Sequence, residues 1–141
     1  MKALVKVALG KGNLELRELP KPAAGPGEVV MRVAATGVCG TDLHVEDNEY
    51  VVVPPVTIGH ETSGRIVEIG AGVSGIAVGD RVTAMTTMWS CGACDHCLAG
   101  ELNRCPKRHG LGAQANGAFA TYLRLPAANA LPLPENVPDV P

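Results

Sequence analysis

Cysteine occurs five times in this chain, and four of the five fall in residues 91–105, CGACDHCLAGELNRC. Cys91, Cys94, Cys97 and Cys105 follow the spacing C-x2-C-x2-C-x7-C. Four thiolates from one local loop can close a tetrahedron around zinc at about 2.3 Å, leaving no position for water or a reactant; a zinc held here is structural by its chemistry. Gly92 and Gly100 let the backbone turn sharply around the ion, and their N–H groups are expected to soften the charge of the sulfurs. His96 lies between two of the cysteines and is expected to be a solvated side chain, since four sulfurs already fill the shell. Two other readings stand beside zinc. Pro106 after Cys105 is a feature of bacterial iron–sulfur runs, although those have x3 before the last cysteine where this chain has x7. Disulfides would leave one of the five cysteines unpaired.

The fifth cysteine, Cys39, lies in GVCGTDLH, and His60 and Glu61 follow in IGHE. A thiolate, an imidazole and a carboxylate supply three ligands and leave one coordination position open, the arrangement of a catalytic zinc. An isolated Cys and His are more often ordinary core residues, and spacing alone does not decide between the two.

The elements that must position these residues read as short strands. KALVKVAL, LELREL, EVVMRVAATG, SGRIVEIG, DRVTAM and AFATYLRLP each combine β-branched or alternating apolar residues with Gly, Pro or Asp at the breaks. PKPAAGPGE, residues 20–28, reads as a loop. CGTDLHVED is the one convincing helical start, with Thr41 or Asp42 as its cap. GAGVSG, residues 70–75, matches a dinucleotide-binding glycine pattern, but IAVGDRVTAM after it shows no helix to hold a pyrophosphate, so a plain turn is expected. LPLPENVPDVP, with four prolines in its eleven residues, reads as a linker or domain boundary.

With 141 residues, 3% aromatics, 17 glycines and 11 prolines, the chain suits one mainly β domain, a partly open barrel or sandwich with few helices. The net charge of -2 and the scattered Lys and Arg give no footprint for nucleic acid. No apolar run approaches the roughly 18 residues of a membrane span, and MKALVKVALGKG builds no signal-peptide core. The expected location is cytoplasmic, where a cysteine cluster is more often a metal site than a set of disulfides.

GPGEVVMRVAATGVCGTDLH, IGHETSGRIVEIGAGVSGIAVGDRV, the four-cysteine lobe and GAFATYLRLP together resemble the zinc-dependent medium-chain dehydrogenases, in that family's order and over nearly the whole chain. The resemblance implies a GroES-like catalytic domain over residues 1–141, with a structural zinc lobe at about 88–108 and a Rossmann cofactor domain after residue 141. It implies two zinc ions, one on Cys91, Cys94, Cys97 and Cys105, the other on Cys39 and His60. Glu61 resembles a direct ligand of the polyol-dehydrogenase branch, whereas in many alcohol dehydrogenases the third ligand is a cysteine from later in the chain. Thr41 and His44 match a proton relay to solvent, and they alone in this chain are placed to reach NAD or NADP. CGTDLH leans towards the polyol and threonine dehydrogenase branch. The implied function is oxidation of a secondary alcohol or polyol hydroxyl, inactive without the cofactor domain, in a homo-oligomer that binds neither nucleic acid nor membrane. A stand-alone zinc-stabilised binding module is the alternative. Tyr50, in the segment between Cys39 and His60, is a candidate pocket wall; Met85, Met88 and Trp89 are equally core or pocket lining.

Overall fold

The computed structural model describes residues 1–138. Its spine is the strand Glu28–Gly37 (β3), in which Val29, Val30 and Met31 are buried in succession. Such an unbroken buried run requires cover on both faces. β3 pairs antiparallel with Glu61–Ile69 (β5) and Tyr122–Pro126 (β9), and Arg81–Ala84 (β6) and Ala130–Pro132 (β10) extend the sheet in the order β10-β6-β5-β3-β9. A second sheet has Lys2–Lys6 (β1) between Leu14–Glu18 (β2) and Val56–Thr57 (β4). The two sheets meet just ahead of β9: Ala3 bridges to Ala120, the Leu4 N–H donates to the Phe119 carbonyl at 2.8 Å, and the Thr121 N–H donates to the Lys2 carbonyl at 3.1 Å. The result is the mainly β, partly open barrel expected from the sequence.

Two apolar clusters fill it. Val29, Met31, Ile66, Val82, Leu123 and Leu125 form the larger one, on the five-stranded sheet. Val45, Val52, Val56 and Ile58 form the smaller, and Val45 ties it to the helix Gly40–Glu46 (α1). The cysteine lobe projects from a small ladder of Thr87–Trp89 (β7) and His109–Gly110 (β8), and carries the one-turn helix Asp95–Leu98 (α2) and a 3₁₀ turn at Leu102–Arg104.

All six expected strands are present, with ends moved by a few residues. Segment 20–28 gives up Glu28 to β3, and GAGVSG is a turn between β5 and β6 with no helix after it. Two expectations need correction. The proline-rich end does not start as a linker: Leu131 and Pro132 pair with Thr83 and Val82, and Pro132 is tolerated because β10 is an edge strand. Residues 139–141 of that run lie outside the described residues. The cap of α1 is neither Thr41 nor Asp42 but Cys39.

Candidate metal centres

The β3–β5 ladder ends at the pair Gly37 and Glu61. Cys39 lies two residues beyond one strand and His60 one residue before the other, so the end of the ladder delivers both to the same place. Cys39 Sγ and His60 Nε2 are 3.0 Å apart. Gly59 sets the approach of His60 with a φ of 92°, and a Cβ there would come within 2.5 Å of the Phe119 ring. On the other side, Cys39 caps α1: the Thr41 N–H points at its sulfur at 3.3 Å, and the Asp42 N–H donates to its carbonyl at 3.1 Å. The buried Asp42 carboxylate answers, accepting the Cys39 N–H on Oδ2 at 2.9 Å. Its Oδ1 lies 3.6 Å from His60 Nδ1. One carboxylate therefore fixes the backbone of the cysteine and faces the far nitrogen of the imidazole, an arrangement that orients a histidine as a metal ligand.

Cys39, Asp42 and His60 form a group whose donor atoms lie within 4.8 Å of one another. Thiolate and imidazole are donors that zinc prefers, and two ligands of one tetrahedral zinc stand roughly 3.5 Å apart, so the pair fits an ion after opening by about half an ångström. Glu61 is not in this group; its carboxylate lies over the backbone of Gly37 on the neighbouring strand.

Cys91, Cys94, Cys97 and Cys105 form the second group, again within 4.8 Å. The sulfur separations are 3.9 Å for Cys91–Cys97 and 3.6 Å for Cys91–Cys105. They bracket the edge of a tetrahedron with metal–sulfur bonds of ~2.3 Å, which is ~3.8 Å. All five cysteines are free thiols, which sets disulfides aside. Backbone amides favour thiolate here: the N–H groups of Ala93 and then Cys94 lower the Cys91 thiol to about 6. For Cys94 the N–H of Cys97 acts in the same sense, but burial and the neighbouring thiols outweigh it and raise the group to about 11. Burial opposes ionisation of Cys97, yet the Cys94 and Ser90 side chains and the Gly92 N–H bring it below its usual value. Gly92 thus faces a sulfur as expected. Gly100 does not, because its N–H is spent on the Cys97 carbonyl at 3.1 Å. His96 stays outside the sulfur group as expected, with a partly exposed side chain whose Nδ1 is 3.0 Å from Glu101.

Residues 25–135 match the family model described as the alcohol dehydrogenase GroES-like domain. The chain belongs to this family. Sorbitol dehydrogenase of Halalkalibacterium halodurans is 48% identical over 139 residues, covering 99% of this chain and 40% of that protein. L-threonine 3-dehydrogenase of Xanthomonas campestris pv. campestris is 43% identical over 143 residues, covering 99% of the chain and 42% of that protein. A zinc-binding dehydrogenase from Sinorhizobium meliloti, solved with NADP bound, superposes with a TM-score of 0.91 at 37% identity, over 99% of this chain and 40% of that one. The chain therefore spans about 40% of the length of the relatives it matches.

Within the GroES-like domain a cavity of about 290 Å³ opens beside His60. Its walls include Thr41, Asp42, Tyr50, Thr86, Thr87 and Arg108, so Tyr50 is the pocket wall the sequence suggested. Thr41 and His60 both line it, and Cys39 adjoins it through its 3.0 Å contact with His60. His44 lies on the exposed side of α1, with Nδ1 2.8 Å from the Glu49 carboxylate. Met88 packs against the larger apolar cluster, while Met85 and Trp89 are exposed; none of the three lines this cavity. The sequence offered Asp42 only as a cap and Arg108 not at all. The signal for Asp42 was its position three residues after Cys39, the spacing of a capping box, hidden because cysteine is not a usual cap.

Proposed function

We propose that the chain is the metal-holding catalytic part of a dehydrogenase that oxidises the hydroxyl of a small-molecule secondary alcohol or polyol, with NAD or NADP taking the hydride. The observation that carries this is Cys39 Sγ and His60 Nε2 at 3.0 Å beside a cavity walled by Thr41. Zinc bound to Cys39 and His60 would supply a Lewis acid that eases loss of the hydroxyl proton, while the Rossmann domain of a longer protein would hold the nicotinamide. The relatives support the substrate class, since one is named for sorbitol and another for L-threonine, both bearing secondary hydroxyls. The third ligand in this proposal is Glu61, adjacent to His60, whose carboxylate would leave its place over Gly37.

The chain's own residues do the rest. Asp42, whose Oδ1 lies 3.6 Å from Nδ1, would set the His60 ring in its ligand orientation. Thr41 presents the hydroxyl that receives the substrate proton within the cavity. His44, exposed and paired to Glu49, exchanges that proton with water. Five free thiols fit a reducing cytoplasm, and no helix among the described residues is long and apolar enough to cross a membrane. In a protein carrying the cofactor domain, Thr41→Ala is expected to slow hydride transfer about 100-fold with zinc content unchanged, and Thr41→Ser to recover most of the rate. Turnover of Thr41→Ala equal to the parent's would refute the relay.

A further inference from the structure

The cavity beside His60 is polar, and its charges are unequally committed. Thr41, Thr86, Thr87, Tyr50 and Asn103 offer hydroxyls and an amide, a lining better suited to a substrate with several polar groups than to a hydrocarbon alcohol. The one carboxylate among the described lining residues, Asp42, already accepts the Cys39 N–H and lies 3.6 Å from His60 Nδ1. Among the described residues Arg108 brings the lining's one guanidinium. It sits three residues after Cys105, and its backbone N–H donates to the Cys105 carbonyl at 3.1 Å, so the cysteine lobe fixes where it stands. Among the described residues its guanidinium has no carboxylate within salt-bridge distance and no hydrogen-bonded partner. Arg108 also lines an adjoining cavity of about 370 Å³ that includes Glu49, whose carboxylate is engaged by His44. The elements around the cavity thus leave a forked cation, with up to five donors in the guanidinium plane, facing the space next to the metal ligands.

We infer that Arg108 is a specificity residue of this site, selecting hydroxyl substrates that carry an anionic group, a carboxylate or a phosphate, near the carbon to be oxidised. This rests on the dehydrogenase function proposed above and narrows its substrate class. A planar fork pairs with two oxygens of either anion, and in a partly enclosed cavity such a charge-assisted contact outweighs a neutral one. The lobe that holds a structural metal thereby acquires a second task, aiming a substrate-binding side chain.

The test uses two matched probe pairs, β-hydroxybutyrate against β-hydroxybutyramide and α-glycerophosphate against glycerol. Their affinities for the zinc-loaded chain are measured by calorimetry or NMR titration. The charged member of at least one pair is expected to bind roughly tenfold tighter. Arg108→Gln should bring that ratio to about one, and Arg108→Lys should keep part of it. A preference confined to the first pair identifies hydroxy acids, and one confined to the second identifies phosphorylated polyols. Equal binding within both pairs, or a preference that survives Arg108→Gln, overturns the inference. The dehydrogenase function fails separately: a protein carrying the cofactor domain would oxidise none of the four probes, nor sorbitol or L-threonine, whatever their binding ratios.

Discussion

At the scale of single residues, Asp42 does more than its place in a helix suggests. It is a buried carboxylate that accepts the Cys39 N–H and faces His60 Nδ1, so both proposed ligands depend on it. Replacing it by Asn preserves size and one acceptor but removes the charge that makes the imidazole a better donor. Asp42→Asn is therefore expected to weaken metal at Cys39 and His60 by roughly 10- to 100-fold while the four-cysteine site keeps its ion. Chelator competition on the cobalt-substituted protein can read the two sites apart, since only one has four sulfurs. Equal weakening of both sites would mean that Asp42 acts through folding alone. The cysteine group was legible in the sequence because thiols with this spacing have few other uses; Asp42 and Arg108 were not, because carboxylates and guanidinium groups are common on any surface.

At the scale of elements, the position of α1 depends on a buried lysine. Lys6 ends β1 with no exposed surface, and its Nζ donates to the carbonyls of Gly10 and Gly12, each at 2.6 Å, and of Glu46 at 3.2 Å. Glu46 is the last residue of α1, so the ammonium lies where a helix terminus favours positive charge, and it clasps the β1–β2 turn to that end. Lys6→Met would keep the apolar stem and leave three carbonyls without their donor. The expected loss is about 3 kcal/mol in urea unfolding, with faster amide exchange along α1. A loss under about 1 kcal/mol would show that the clasp is incidental. Nothing in MKALVK announced this burial. Its alternation placed Lys6 on the same side as the exposed Lys2, and only the fold of residues 7–13 and the end of α1 over the strand closes it in. Strands of five or more residues could be read from their own pattern; β4 and β10, of two or three residues each, exist because longer neighbours offer them an edge, and β7 and β8, equally short, hold only each other.

At the scale of the whole molecule, two zinc-compatible groups sit on one barrel and divide the work. The four-cysteine lobe contributes little apolar burial, with Cys105 the buried residue among its four cysteines, so a bound ion would supply much of the lobe's cohesion. The Cys39–His60 pair rests on the barrel, held by the β3–β5 ladder and the cap of α1. Barrel closure through Ala3 and Ala120 was beyond sequence pattern, because two small residues far apart in the chain carry no mark of pairing. The division of labour makes the sites separable, and counting zinc per chain tests it directly. Two ions per chain are predicted for the parent, one for Cys39→Ala and one for Cys91→Ala, the survivor in each case belonging to the untouched group. A parent that holds a single ion, lost in Cys91→Ala and unaffected by Cys39→Ala, would contradict the catalytic site and leave a zinc-stabilised module.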